Sequence, residues 1–238
     1  MKKIFIFACV LLFLFSCSPS HHVVPLNKKE KAVSFNLGGP LISYSGSVIP
    51  VPFSSFNFAY GLKKNTTIFG GLHSTSLAYG VIQTELGLTH QLQYWDFKKI
   101  GLTISPNINF MLDKWEWNYK VYPQFDVNFY WFLKGEPHQH CDCRGKAGRA
   151  IYLYGGVSNW FEFSTKRYDG VSQPTNYILM PQLGINMGGE SWRYNVELKY
   201  MGLGTPNNNT VVSYVNPISD KGAIGVYFTV SKIIAPKK

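Results

Sequence analysis

From Val121 to Leu133 the chain alternates: Val121, Pro123, Phe125, Val127, Phe129 and Trp131 share one face of an extended segment, while Tyr122, Gln124, Asp126, Asn128 and Tyr130 share the other. Successive side chains of a strand point to opposite faces, so this segment has one apolar wall and one polar wall. Residues 101–112 repeat the code, with Leu102, Ile104, Pro106, Ile108, Phe110 and Leu112 opposed to Thr103, Ser105, Asn107 and Asn109. A third segment sets Tyr194, Val196, Leu198 and Tyr200 against Arg193, Asn195, Glu197 and Lys199. Strand candidates of this kind fall near 32–43, 52–62, 66–77, 81–92, 99–112, 120–133, 150–163, 176–188, 192–203 and 222–234. Their length and alternation suit strands that cross a bilayer with one face to lipid and the other to an interior.

The pattern predicts an all-β chain: a single antiparallel up-and-down transmembrane β-barrel of about ten strands. The first three segments are the least regular. Alternation blurs at Gly70 and Gly71, and Pro40 and Pro50 bracket a stretch with no clear end, so eight or twelve strands stay open. A soluble antiparallel protein with its polar face to water would show the same alternation.

The amino terminus separates these alternatives. Lys2 and Lys3 precede an apolar run from Ile4 to Phe15 that closes on Ser16 and Cys17. This is the charged start, short apolar run and small residue of a secretory signal, and it is too short for a membrane-spanning helix. Leu14, Phe15, Ser16 and Cys17 resemble the lipobox of bacterial lipoproteins, in which the cysteine thiol is acylated and becomes the first residue of the mature chain. The resemblance implies a lipid on Cys17. Phe15 is bulkier than the residue usual there, so ordinary signal-peptidase cleavage and an unmodified thiol stand as alternatives. The division that follows is a signal peptide over 1–16, a lipid-anchored flexible tether over 17–31 that is polar and basic, and an outer-membrane barrel over 32–238.

An even strand number puts both barrel ends on the periplasmic side and makes connections alternate between short turns and longer outer loops. On the inner side fall 63–65, 93–98, 134–149 and 189–191; on the outer side fall 113–119, 165–175 and 204–221. The segment 134–149 is long where a turn is expected. Trp95, Trp131 and Trp192 sit at inner strand ends, and Trp115, Trp117 and Trp160 at outer ends, as aromatic girdles at two membrane interfaces require.

Charge and cysteine usage refine this picture. The formal net charge is +10, and the basic residues collect at the inner side, in Lys63, Lys64, Lys98, Lys99, Lys134, Arg144, Lys146, Arg149, the tether and the tail. Such a ring would face anionic lipid headgroups, and the same lysines also keep turns soluble. A secretory leader and dispersed lysines argue against nucleic acid as a partner. Cys9 and Cys17 belong to the leader, which leaves Cys141 and Cys143 in the body and no disulfide framework.

As a whole the mature chain resembles the outer-membrane β-barrel proteins of Gram-negative bacteria. Its lipobox-like leader, aromatic-rich ten-strand meander and lack of a terminal Phe resemble barrels of the Bacteroidota. The resemblance implies insertion by the barrel-assembly machinery and contact with outer-membrane lipids. The chain ends in Ala235, Pro236, Lys237 and Lys238 instead of the terminal aromatic by which that machinery recognises its clients, and Phe228 is the candidate for that part. The likeness is architectural and carries over no functional residue.

Candidate chemistry lies inside and at the ends. Alternation turns Glu85, Asp126, Glu162, Arg193, Glu197 and Lys199 inward, with Asn107, Asn109, Gln124, Asn128 and Gln182. Side chains can largely fill a lumen of about ten strands. Unpaired charges there are costly, so ion pairs are expected between Arg193 or Lys199 and carboxylates on neighbouring strands. The expected role is structural or interactive, with a polar, largely plugged lumen; a narrow water or ion path is the functional version of it. Two alternatives remain. One is an outer-rim hydrolase of envelope lipid or peptide, using His73 with Ser74 or Ser76 near Glu85, with Asp113, Glu116 and Glu162. The other is a soluble periplasmic lipoprotein that binds lipid, which needs an apolar lumen. Finally, His138, His140, Cys141 and Cys143 have ligand types for zinc or copper, although the spacing matches no established finger. The two cysteines equally suit a small disulfide, and the 134–149 turn a periplasmic protein contact.

Overall fold

The structure, a computed structural model, describes residues 22–44, 46–135, 150–163, 176–189, 191–206, 214–215 and 221–236. Ten long strands form one closed antiparallel barrel in sequence order: β1 (Lys31–Tyr44), β3 (Phe53–Lys63), β4 (Thr66–His73), β5 (Val81–Trp95), β6 (Ile100–Asp113), β7 (Tyr119–Lys134), β8 (Ala150–Phe161), β9 (Tyr177–Gly188), β10 (Trp192–Pro206) and β11 (Lys221–Ile234). Pairing of β1 with β11, from Lys31 opposite Ile234 to Pro40 opposite Gly225, closes the ring. No long edge is left to template association. Each expected strand is present at close to its expected place.

Two differences occur at one end. The stretch between Pro40 and Pro50 forms a hairpin in which β2 (Ser47–Pro50) folds back on the last residues of β1. The strand expected over 66–77 stops at His73, and Ser74–Ala78 form a short helix, α1, before β5. The Ser74 hydroxyl donates to the Ser54 carbonyl at 3.0 Å, and the Ser54 amide donates to Thr75 Oγ1 at 2.8 Å, so α1 is fastened to β3.

Strand parity is as the alternation predicts. In β7, Tyr122, Gln124, Asp126, Asn128 and Tyr130 are buried inside, while Phe125, Phe129 and Trp131 are exposed outside. In β6, Thr103, Ser105, Asn107 and Asn109 are buried. The outer wall continues around the ring with Phe35, Leu37, Phe56, Phe58, Leu86, Ile108, Leu183, Leu198 and Phe228, all exposed. The core of this protein is its lumen.

The end bearing Lys31 and Ile234 is the terminal end of the barrel; the other is the far end. The connections at the terminal end are those after β3, β5, β7 and β9, as expected from the even count.

Candidate functional site

Three layers fill the lumen. At the far end Met111, Tyr122, Trp160, Met180, Met201 and Tyr227 pack together. Trp160 is therefore not a girdle residue. It shares the parity of Tyr152, Tyr154 and Ser158 in β8 and turns inward, where its ring meets Tyr122 at 5.8 Å. The other tryptophans are exposed: Trp95, Trp131 and Trp192 at the terminal end, Trp115 and Trp117 beyond β6 at the far end.

The middle layer is polar and its members bond to one another. Asn109 Nδ2 donates to Asn107 Oδ1 at 2.9 Å and to Gln124 Oε1 at 3.0 Å. Gln124 Nε2 donates to Asp126 Oδ1 at 2.9 Å and to Ser158 at 3.0 Å. Gln182 Nε2 donates to Asn128 Oδ1 at 2.7 Å. Tyr154 donates to Glu197 Oε2 at 2.8 Å, and Lys199 Nζ lies 3.3 Å from Glu197 Oε1. This ion pair joins residues of one strand, two positions apart, where a cross-strand pair was expected. Glu197 and Lys199 are 0% and 1% exposed, so mutual neutralisation and hydrogen bonds must offset their desolvation. Lys199 also stands 5.9 Å from the centre of the Tyr227 ring.

Four inward glycines make these contacts. Each lies on a strand whose two neighbours present polar or aromatic groups at the same register. Asn57 and Glu85 flank Gly71; Tyr94 and Tyr130 flank Gly101; Asn128 and Gln182 flank Gly156; Tyr154 and Glu197 flank Gly184. A Cβ would collide with Asn57 and Glu85 at Gly71, with Tyr130 at Gly101, with Asn128 at Gly156 and with Tyr154 at Gly184. The absence of a side chain on the middle strand lets residues two strands apart meet across it. Asn57, with its amide nitrogen turned towards Glu85, stands 2.7 Å from Glu85 Oε1.

The terminal end is closed by the chain itself. Residues 17–31 were expected to be a flexible tether, but Val23, Val24, Pro25 and Leu26 are buried in the mouth. Val23 and Val24 pack on Tyr130, Phe132, Tyr152 and Tyr154, and Leu26 on Ala32, Ala59, Phe69 and Ile233. The Leu26 amide donates to Thr67 Oγ1 at 2.7 Å, the Lys29 amide to the Gly61 carbonyl at 2.7 Å, and the Gly61 amide to the Glu30 carbonyl at 2.9 Å. Gly61 is required here, because a side chain would strike the Asn27 carbonyl. The sequence signal was present in the short apolar run Val23, Val24, Pro25, Leu26, which the neighbouring lysines and histidines mask. Arg193 stands at this mouth, half-buried, and borders with His22, Val23, Asn195 and Thr229 a cavity of about 30 Å³, the space of a water or two.

The hydrolase candidates divide. His73 and Glu85 do come together, buried in the lumen with His73 Nε2 3.8 Å from Glu85 Oε1. The serines do not complete a nucleophile: Ser76 donates its hydroxyl to Gln83 Oε1 at 2.7 Å and Ser74 donates to Ser54. Glu162 sits beyond β8 at the far rim, 3.2 Å from Lys120 Nζ. Asp113 and Glu116 serve the connection between β6 and β7, accepting from the Trp115 amide at 2.9 Å and from Asn118 Nδ2 at 3.0 Å. Cys17 and the cluster His138, His140, Cys141 and Cys143 lie outside the described residues. Among the described residues no group of three or more His, Cys, Asp and Glu is placed to hold a metal ion.

A closed β-barrel with an apolar outer wall and a packed polar lumen is the class that fold and site define. No protein-family model matches the chain, and no curated protein sequence does. Among solved structures it is similar to the N-terminal β-barrel domain of Pseudomonas aeruginosa OprF, at 8% identity over 88% of this chain and 100% of that one, with a TM-score of 0.32. It is similar to the Pseudomonas aeruginosa outer membrane protein OprG at 10% identity, over 89% of this chain and 99% of that one, with a TM-score of 0.31. It is also similar to the translocator domain of the autotransporter NalP from Neisseria meningitidis, at 9% identity over 97% and 94% of the two chains, with a TM-score of 0.42.

Proposed function

We propose that this protein is an outer-membrane β-barrel with a structural or interaction role and a lumen packed shut, anchored additionally by a lipid on Cys17. The observation that carries the reading is the pairing of an exposed apolar wall with a filled polar interior. In water the apolar wall, continuous around the ring, would be a large aggregation-prone surface; in a bilayer it is the lipid-facing side of a closed sheet whose backbone is satisfied internally. The packed lumen, with its far-end cluster, polar middle and chain-derived stopper, supports a non-conducting role. Among the described residues its middle layer is polar, where a lipid-carrying barrel needs an apolar cup.

In this reading both termini face the periplasm, the barrel-assembly machinery inserts the chain after cleavage of 1–16, and the 134–149 connection offers a periplasmic contact. The test is membrane partition combined with gel mobility of boiled and unboiled protein in detergent. Recovery in the outer membrane with a fast-running unboiled band is expected. Carbonate release without a mobility shift would overturn the reading. Incorporation of labelled palmitate that is lost in Cys17→Ser tests the anchor, and an unlabelled wild type would remove it.

A further inference from the structure

On the outer wall at the terminal end, a groove of about 370 Å³ is lined by Trp95, Phe97, Lys98, Ile100 and Phe129. Its lining is apolar except for Lys98. Phe97 belongs to the 3-10 turn Asp96–Lys98 between β5 and β6 and is 97% exposed, so its ring projects clear of the strands. Lys99 follows in the left-handed conformation at φ 51° and turns the chain back into β6, with its carbonyl held by the Phe132 amide at 2.9 Å.

Basic residues stand along this stretch of the rim. Lys63 and Lys64 end the β3–β4 hairpin, Lys98 and Lys99 end β5–β6, and Lys134 ends β7. All five are exposed, and these connections follow one another around the ring. The Asn65 carbonyl accepts from the Gln91 amide at 2.9 Å, which ties the first hairpin to β5. Asp96 is the carboxylate within the β5–β6 turn.

We propose that this part of the rim is a binding site for an anionic phospholipid, with an acyl chain lying in the Trp95, Phe97, Ile100 and Phe129 groove and the phosphate held by Lys98 and Lys99. This rests on the reading of the barrel as membrane-embedded. An apolar slot continuous with a lipid-facing wall admits an acyl chain, and lysines at the level of the headgroups favour anionic over zwitterionic lipid. A second copy of the chain docked here would bring the two lysine clusters together, and their repulsion favours the lipid as occupant.

The experiment is tryptophan quenching in phosphatidylcholine vesicles in which brominated acyl chains are carried either by phosphatidylcholine or by phosphatidylglycerol at equal mole fraction. The Trp95 signal is the difference between the full-length protein and Trp95→Phe. Brominated phosphatidylglycerol is expected to quench Trp95 at about thirtyfold lower mole fraction than the zwitterionic lipid, the factor expected for two lysines near the surface. Lys98→Gln with Lys99→Gln should abolish that preference and leave quenching by phosphatidylcholine in place, whereas Lys28→Gln with Lys31→Gln, beside the end of β3 and away from the groove, should leave the preference intact. Equal quenching by the two lipids would overturn the headgroup site while keeping the barrel in the bilayer. Loss of preference in the Lys28 and Lys31 variant would replace a local site with a diffuse charged ring. Quenching by neither lipid would overturn the membrane reading itself.

Discussion

Tyr154 of β8 reaches across Gly184 of β9 and donates its hydroxyl to Glu197 of β10, at 2.8 Å. Asn195 Nδ2 donates to the same hydroxyl at 2.9 Å, and Lys199 holds the other carboxylate oxygen. β8 and β10 are thereby joined by side chains across β9, which each of them also pairs with through backbone, and the bare glycine is the condition for it. The same relation recurs at Gly71, Gly101 and Gly156. The barrel is braced from within, which is the physical content of a lumen that is filled and polar.

Replacing Gly184 by valine should displace the Tyr154 ring and strand the Glu197 and Lys199 charges with fewer partners. The expected loss is about 3 kcal/mol, within the range for disrupting buried polar networks. Tyr154→Phe removes the hydroxyl alone and should cost about 1–3 kcal/mol. Denaturant unfolding in detergent, read by the unboiled gel band, ranks the two; a Gly184→Val protein as stable as wild type would refute the bracing.

Lys199→Met should leave Glu197 buried without its cation, at a cost of about 3–5 kcal/mol. Adding Glu197→Gln should restore much of that, because a neutral amide needs no counter-charge. A double-mutant cycle on the same unfolding assay measures the coupling, and additive losses would show that the two charges do not depend on each other.

Leu26→Ala should destabilise by about 2–5 kcal/mol, the range for emptying a buried leucine site. Leu26→Asp should go further and release residues 22–30 to added protease while the strands stay resistant. If these residues are cut equally fast in wild type, the stopper is not seated.

Planar-bilayer recordings of the wild type should show no steady conductance. Deletion of residues 22–30 should not create one, since the polar middle layer and the far-end cluster remain. Channels in the wild type would refute the packed lumen, and channels in the deletion alone would make the terminal segment the sole barrier.

For orientation, Asn118→Cys in the exposed connection after β6 should react with an impermeant maleimide on intact cells, and Lys98→Cys only after lysis. The reverse pattern would invert the barrel.

The ten long strands and their inner and outer faces were legible in the local pattern, though the end of β4 and the hairpin between Pro40 and Pro50 were not. A strand has two walls with period 2, and every strand of a barrel has the same two environments, so Asp126, Asn128, Glu197 and Lys199 were placed inside by local pattern alone. The same parity carries Trp160 inward with Tyr154 and Ser158, overriding the interfacial preference of a tryptophan near a strand end. Tertiary structure decided the rest. Which side chains meet depends on cross-strand register, so the contacts of Asn57 with Glu85 across Gly71, or of Tyr154 with Glu197 across Gly184, have no signature within any one segment. Lys199 pairs with Glu197 on its own strand and lies near the Tyr227 ring, an arrangement that alternation does not distinguish from a cross-strand pair. The seating of Val23, Val24 and Leu26 needed the barrel mouth to exist first: a four-residue apolar run among basic residues is a tether until a ring of Tyr130, Phe132 and Tyr152 offers it a place to be buried.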